Sequence, residues 1–380
     1  MVTFVMSHAC PLQCDFCCST RDVVGPGRIS RAMMTDCLVR FGREQAVQRF
    51  AFTGGDPFLY RADIAAAVRA ARDSGIARPF QIVTSAYWAE DEGRVLSVLG
   101  ELRALGLDKL GLSYDREHAR WVSPGQIEMV CNAAEALSIA VSLTGTFWDR
   151  DDSVEKLLPN LGQRQAIHVI NMPVAPMGRA RIQTRMAKRP AVPIEEKLSC
   201  GQPGHYSLSI YPDGEVYPCC SGGFQIEGRL SCGNVHRDPA SRLLYAALTK
   251  FHVRLVKEFG WGLLYELVER EAPDLASQLP RLEDAGGVCE LCRDLNVGFA
   301  DKLAPLYTTI EIEYARTRAE FEWRAISAGA MADRLWFDNV PVSLPELLDS
   351  LTSHRDLRLD YLAGSRRIAA APKSAAAYRD

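Results

Sequence analysis

Short apolar runs alternate with helix-like stretches through the first half of the chain. Val2–Ser7, Arg49–Thr53, Phe80–Thr84, Lys109–Ser113, Ala140–Thr144 and His168–Met172 read as strands. Between them, Ala62–Ser74, Gly93–Leu105 and Ile127–Leu137 repeat apolar residues at i, i+3 and i+4, the spacing of one buried helix face. Strands alternating with amphipathic helices predict βα units and a parallel sheet. Six strands fall short of the eight of a closed TIM barrel. The expected fold is therefore α/β, an open, partial (β/α)6 TIM-like barrel over residues 1–185. Its site should lie at the C-terminal ends of the strands.

The pattern breaks across the Pro-, Gly- and Arg-rich stretch Pro176–Pro193. Tyr206–Tyr211 and Glu215–Tyr217 then flank Pro212-Asp213-Gly214, a β-hairpin with turn residues at its tip. Helices are expected over Ala240–Glu258, Gly262–Glu271 and Ile310–Ile326, with a tail frayed beyond Arg366. We expect a small α+β domain over 186–300 and a helical segment over 301–380, where Trp323 and Trp336 read as core residues.

The chain has 380 residues, 47% hydrophobic and 24% charged, with a formal net charge of -3. That balance gives no reason to expect nucleic-acid binding, and basic stretches such as Arg179–Arg185 read as a solvated connector. No run reaches the roughly 18 apolar residues of a membrane span. Met1–Leu12 lacks the basic start and long apolar stretch of a signal peptide. The expectation is a soluble, cytoplasmic protein. Twelve cysteines then need a reason, because the cytosol keeps thiols reduced. Cys37 and Cys131 sit alone on apolar-patterned helices and read as buried structural thiols. The others are clumped, which points to metal or cluster ligation.

Cys10-Pro-Leu-Gln-Cys14-Asp-Phe-Cys17 has the form C-x3-C-x2-C with an aromatic residue before the last cysteine. Three thiolates on one tight loop can hold three irons of a [4Fe–4S] cubane and leave the fourth iron open. An open iron can be chelated by the amino and carboxylate groups of S-adenosylmethionine (SAM). A structural zinc site would need a fourth ligand, which Cys18 or His8 could supply.

These residues resemble the radical SAM superfamily, and the resemblance extends past the cysteines. Thr53-Gly54-Gly55-Asp56-Pro57 is similar to the family's GGEP motif, whose backbone binds the SAM amino group, with Asp in place of Glu. Leu112-Ser113-Tyr114-Asp115 is similar to its ribose-contacting strand end, Val141–Gly145 with Thr144 lies where further SAM contacts are placed, and Phe16 would lie near the adenine. The resemblance implies Cys10, Cys14 and Cys17 as cluster ligands. It implies Phe16, Gly54, Gly55, Asp56, Pro57, Ser113, Asp115 and Thr144 as SAM contacts.

Cys200-x18-Cys219 brackets the hairpin, and Cys289-Glu-Leu-Cys292 follows about 70 residues later. With Pro173–Ala180, Pro212–Cys219 and Cys232-Gly233-Asn234-Val235, this resembles the Twitch/SPASM auxiliary-cluster domains of radical SAM enzymes, in the shorter one-cluster form. Cys200, Cys219, Cys289 and Cys292 would close a second [4Fe–4S] cluster suited to electron transfer; Cys220 could replace Cys219, and a four-cysteine zinc site uses the same residues. Cys232 reads either as a partly buried thiol or as a hydrogen-atom donor, as in radical SAM peptide epimerases. The implied activity is formation of a 5′-deoxyadenosyl radical that abstracts a substrate hydrogen, with electrons from a flavodoxin- or ferredoxin-type donor. The substrate is a ribosomally made peptide, to be epimerised, oxidised or cross-linked, or a small molecule dehydrogenated as by aminocyclitol dehydrogenase. Only nine residues precede Cys10, so no fused N-terminal peptide-recognition domain is expected. A non-catalytic iron–sulfur carrier or zinc scaffold is the remaining class.

Overall fold

The structure is a computed structural model that describes residues 1–18, 27–149, 151–182, 200, 207–218, 230–249, 255, 260–313, 315–316, 319, 335–337 and 340–342. Six strands, β1 (Val2–Val5), β2 (Phe50–Thr53), β3 (Phe80–Thr84), β4 (Leu107–Ser113), β5 (Ala140–Phe147) and β6 (Ile167–Pro173), pair in parallel, each beside its predecessor. Parallel neighbours require crossover connections. Four are supplied with long helices: α1 (Arg31–Gly42), α2 (Arg61–Asp73), α3 (Glu92–Ala104) and α4 (Pro124–Ala136). Two short turns, Val154–Leu157 and Pro159–Gly162, connect β5 to β6.

Local chemistry sets the helix starts. Ser30 accepts from Met33 N and Asp91 from Arg94 N, while Ser123 and Gln126 form a reciprocal capping box with Pro124 behind it. Each such cap is worth about 1 kcal/mol. The strands stack large side chains between sheet and helices: Phe4 on Phe52 at 5.3 Å, and Phe52 edge-on to Phe80 at 5.7 Å. Ile82, Leu99, Leu110 and Leu143 are fully buried beside them. Cys37 and Cys131 lie in this core, and burial pushes their thiols up to about 11 and about 12.

The barrel does not close. β6 forms one edge, and β1 is joined on its other side by β7 (Leu208–Ile210), which runs parallel to it. β7 turns antiparallel into β8 (Glu215–Tyr217), and β8 pairs with β9 (Gly233–Asn234). The expected hairpin is present, but its backbone bonds make it an extension of the barrel sheet. By compactness the chain divides into two units. One unit is Met1–Pro193 with Tyr206–Ala247; the other is Ile194–His205 with Leu248–Asp380.

The first unit ends on α5 (Ala240–Thr249), whose described part is shorter than the expected Ala240–Glu258. In the second unit α6 (Gly262–Glu271) matches its expected bounds and buries Leu263, Leu264, Leu267 and Val268. Tyr265 Oη donates to Pro280 O at 2.7 Å, tying α6 to the stretch before α7 (Val288–Arg293). Residues 307–313 are helical, the start of the expected helix Ile310–Ile326. Strands β10 (Leu335–Phe337) and β11 (Val340–Val342) pair antiparallel, with Trp336 opposite Pro341. Trp323 and the tail beyond Arg366 lie outside the described residues. Among the described residues no helix is long and apolar enough to cross a membrane.

Candidate functional site

The residues singled out by their chemistry gather at the C-terminal ends of the parallel strands. The loop carrying Cys10, Cys14 and Cys17 leaves β1; Gly54–Pro57 follows β2; Ser113 and Asp115 end β4; Thr144 lies near the end of β5. Ser113 and Thr144 are register partners, so their side chains point to the same face. Leu112 and Leu143, one residue back, are fully buried on the other face.

Three clamps hold the cysteine loop. The first comes from the turn after β2, where Gly55 N donates to Ser7 O at 2.8 Å and Asp56 N to Ala9 O at 3.0 Å. A Cβ on Gly55 would stand 1.7 Å from Ala9 O, and one on Gly54, at φ +132°, 2.5 Å from Ser7 O. Glycine is thus required here by the approach of the cysteine loop itself, where the sequence suggested only close approach to a ligand. The second clamp is Glu117, whose Oε2 accepts from Asp15 N at 3.3 Å and from Arg120 Nη1 at 2.8 Å. The third is Arg179. Its Nη1 donates to Cys14 O at 3.0 Å and its backbone N to Cys17 O at 2.9 Å. Gly178, at φ +56°, lets that segment lie against Cys17 and Cys18, since a Cβ there would meet Cys17 O at 2.6 Å.

Asp56 and Asp115 are hubs for the chain's own donors. Asp56 is 2% exposed. It accepts from Phe58 N, Ser85 N and Ser85 Oγ at 2.8–3.0 Å, and Thr84 Oγ1 stands 3.0 Å from both carboxylate oxygens. Burial pushes its carboxyl up, against the pull of those hydrogen bonds. Thr84 Oγ1 in turn accepts from Trp88 Nε1, and Trp88 stacks on Phe58 at 4.2 Å, so the turns after β2 and β3 form one block. Asp115, 1% exposed, accepts from Glu117 N and His118 N at 3.0 Å and from Thr146 N at 3.2 Å, joining β4 to β5. His118 Nδ1 lies 2.9 Å from Asp115 Oδ1, out of line for a hydrogen bond. The His118 ring lies 5.9 Å from that of Phe16.

The three loop thiols influence one another electrostatically. Burial pushes Cys10 up to about 12, while the Leu12 amide, 3.4 Å from its Sγ, and the Arg179 guanidinium pull it down; burial also raises Cys14. Among the described residues no three His, Cys, Asp or Glu side chains converge as they would around one metal ion. A cubane places each cysteine on its own iron, and a loop with three thiols, an amide aimed at sulfur and a nearby guanidinium fits that group. His8, the alternative zinc ligand, packs its ring 6.4 Å from that of Tyr211.

Of the candidate auxiliary-cluster ligands, Cys200, Cys289 and Cys292 are described, and all three belong to the second unit. Burial raises the Cys292 thiol, and the Cys289 and Cys200 thiols raise it further, so the three are neighbours. Asn296 Nδ2 stands 3.6 Å from Cys292 Sγ. Cys219 and Cys220 lie outside the described residues. Cys232 is 7% exposed, within the first unit's core; its N donates to Val216 O at 2.7 Å and its Sγ stands 3.8 Å from Leu230 O.

Glu117, Thr84, Ser85, Arg179 and Asn296 were not singled out from the sequence. Arg179 lay in plain view in Pro176-Met177-Gly178-Arg179-Ala180, but the basic stretch it opens reads as solvated. The others had no local signal, since their partners are 28 to 102 residues away or, for Asn296, across one helical turn.

Residues 200–254 match SPASM, an iron–sulfur cluster-binding domain. Over 324 residues, 82% of this chain and 97% of the relative, the sequence is 23% identical to YydG of Bacillus subtilis (strain 168), a protein named for peptide biosynthesis. Among solved structures, anSMEcpe with bound AdoMet is similar over 82% of this chain and 99% of that one, at TM-score 0.49 and 15% identity. BtrN in complex with AdoMet and 2-DOIA is similar over 68% and 87%, at TM-score 0.42 and 15% identity. Likeness at that level carries no functional argument. The chain thus pairs a three-cysteine loop on an open parallel barrel with a stretch that matches a SPASM iron–sulfur cluster-binding domain.

Proposed function

We propose that this chain is a radical SAM enzyme that matures a peptide. The observation that carries the reading is the C-x3-C-x2-C loop, held at the C-terminal ends of an open barrel by clamps from β2, β4 and the segment after β6. The peptide assignment is supported by the relation to YydG, which spans nearly all of that protein.

Cys10, Cys14 and Cys17 are assigned to one [4Fe–4S] cluster. Cys200, Cys289 and Cys292, with Cys219 or Cys220, are assigned to a second. When bound, cluster and SAM together supply a 5′-deoxyadenosyl radical that takes a hydrogen atom from the substrate. The chain's own part is to orient and to exclude water. The carbonyl side of the Gly54–Pro57 turn is assigned to the SAM amino group, Ser113 and Thr144 to its ribose side, and Phe16 to the adenine. Asp56 and Asp115, with their carboxylates engaged by chain donors, act by holding those strand ends in place. An external one-electron donor of flavodoxin or ferredoxin type completes the assignment. The functional division into barrel (1–185), auxiliary-cluster region (186–300) and C-terminal segment (301–380) is part of the same proposal.

If the product is an epimer, Cys232 is the thiol assigned to return the hydrogen; its burial in the core shields it from solvent oxidants. Cys232→Ala should then preserve SAM cleavage and abolish net epimerisation, and unchanged product would remove the assignment. The overall reading is tested by anaerobic reconstitution with SAM, dithionite and a candidate ribosomally made precursor peptide. The expected result is 5′-deoxyadenosine together with a mass or stereochemical change in the peptide, both lost in Cys10/Cys14/Cys17→Ala. 5′-Deoxyadenosine with an unmodified peptide would redirect the assignment to a small molecule. None under strong reduction would point to a carrier or scaffold.

A further inference from the structure

After α7 the chain does not continue as a regular helix. Residues Asp294–Gly298 widen into a single π turn, closed by Phe299 N donating to Asp294 O at 3.1 Å. Such turns are uncommon and often mark functional positions. This one carries Asn296, 3% exposed, whose side chain turns back onto Cys292. Its Nδ2 donates to Cys292 O at 2.7 Å and stands 3.6 Å from Cys292 Sγ, so its two amide hydrogens have one acceptor each. Asn296 Oδ1 is buried without a hydrogen-bond partner among the described residues. An orphaned buried acceptor costs about 1–3 kcal/mol. A side chain chosen only for packing would avoid that cost, and Leu would fill nearly the same volume. What Asn supplies and Leu cannot is the pair of donors facing Cys292. Glu290, the buried carboxylate between the two cysteines, is turned the other way, toward Gly286 N at 2.6 Å.

We infer that Asn296 is a positioning residue that sets the reduction potential of the C-terminal cluster through an N–H···S bond to Cys292. The inference rests on the reading that Cys200, Cys289 and Cys292 ligate iron. A hydrogen bond to a ligand sulfur stabilises the more negative, reduced state of a cluster and so raises its potential. An electron acceptor in an oxidative reaction needs that upward adjustment, and a zinc site would have no use for it.

The test uses the full chain with Cys10/Cys14/Cys17→Ala, so that the second cluster is observed alone. Asn296→Leu and Asn296→Asp are compared with that parent by iron content, EPR of the reduced cluster and potentiometric titration. The expected order of midpoint potentials is parent, then Asn296→Leu, then Asn296→Asp lowest, because Leu removes the donor and Asp adds a negative charge as well. Iron content should be unchanged in both. Equal potentials in all three proteins at full iron content would overturn the inference. So would loss of iron from both variants, which would make Asn296 a determinant of assembly alone. Zinc in place of iron in the parent would overturn the second-cluster reading beneath it, an outcome that metal analysis separates from the other two.

Discussion

At the scale of single residues, side chains that look like ligand contacts in the sequence serve the chain's own architecture. Asp56 and Asp115 stand out as acidic residues at strand ends, yet their carboxylates are occupied by backbone amides and hydroxyls from neighbouring strands. The sequence locates such residues but does not say what they face, because their partners are set by the tertiary fold. Arg179 shows the converse. In a basic stretch it reads as solvated, but it bonds two backbone carbonyls of the cysteine loop. Arg179→Gln should lower the occupancy of the N-terminal cluster severalfold and leave the C-terminal cluster intact, as read by iron content and EPR in single-cluster backgrounds. Cys37 and Cys131 were legible as structural thiols, since lone cysteines on an apolar helix face have few other uses. Their unfolded thiols ionise near pH 8.5, whereas the folded ones stay neutral to about 11 and about 12. The unfolded state therefore loses its protons first, and stability falls as pH rises from about 8.5 to 11. Cys37→Ala should flatten that alkaline slope while costing about 1–2 kcal/mol at pH 7 from the cavity it leaves. Urea unfolding at pH 7, 9 and 10.5 reads both effects.

At the scale of elements, local periodicity carried much of the fold. All six barrel strands begin and end within a few residues of their expected bounds, and α6 matches. The hairpin was also legible, since Pro212-Asp213-Gly214 has turn chemistry between two apolar runs. Its pairing with β1 was not. β7 bonds to residues about 200 positions earlier, and no local pattern encodes a partner that far away. The turns that clamp the cysteine loop are the most sensitive elements. Gly55→Ala would drive a methyl into Ala9 O, backbone that cannot swing aside. That variant should fail to retain the N-terminal cluster while its C-terminal cluster, read by EPR, persists. Gly178→Ala combines a left-handed φ, costing about 1–2 kcal/mol, with a clash against the backbone of Cys17 and Cys18. It should reduce 5′-deoxyadenosine formation without altering the far-UV circular dichroism.

At the scale of the whole molecule, the account is of a chain with two iron–sulfur sites, one on the barrel's strand ends and one built from the C-terminal cysteines. The spacing of the cysteines is what points to both proposed sites in the sequence, and the SPASM match overlaps the second. The measurement that tests this most directly is iron and labile sulfide in the anaerobically reconstituted wild type and in Cys10/Cys14/Cys17→Ala. Two cubanes predict roughly eight irons in the wild type and roughly four in the variant. A variant with no iron would contradict the account by removing the second cluster. A variant with the same iron as the wild type would contradict it by removing the first.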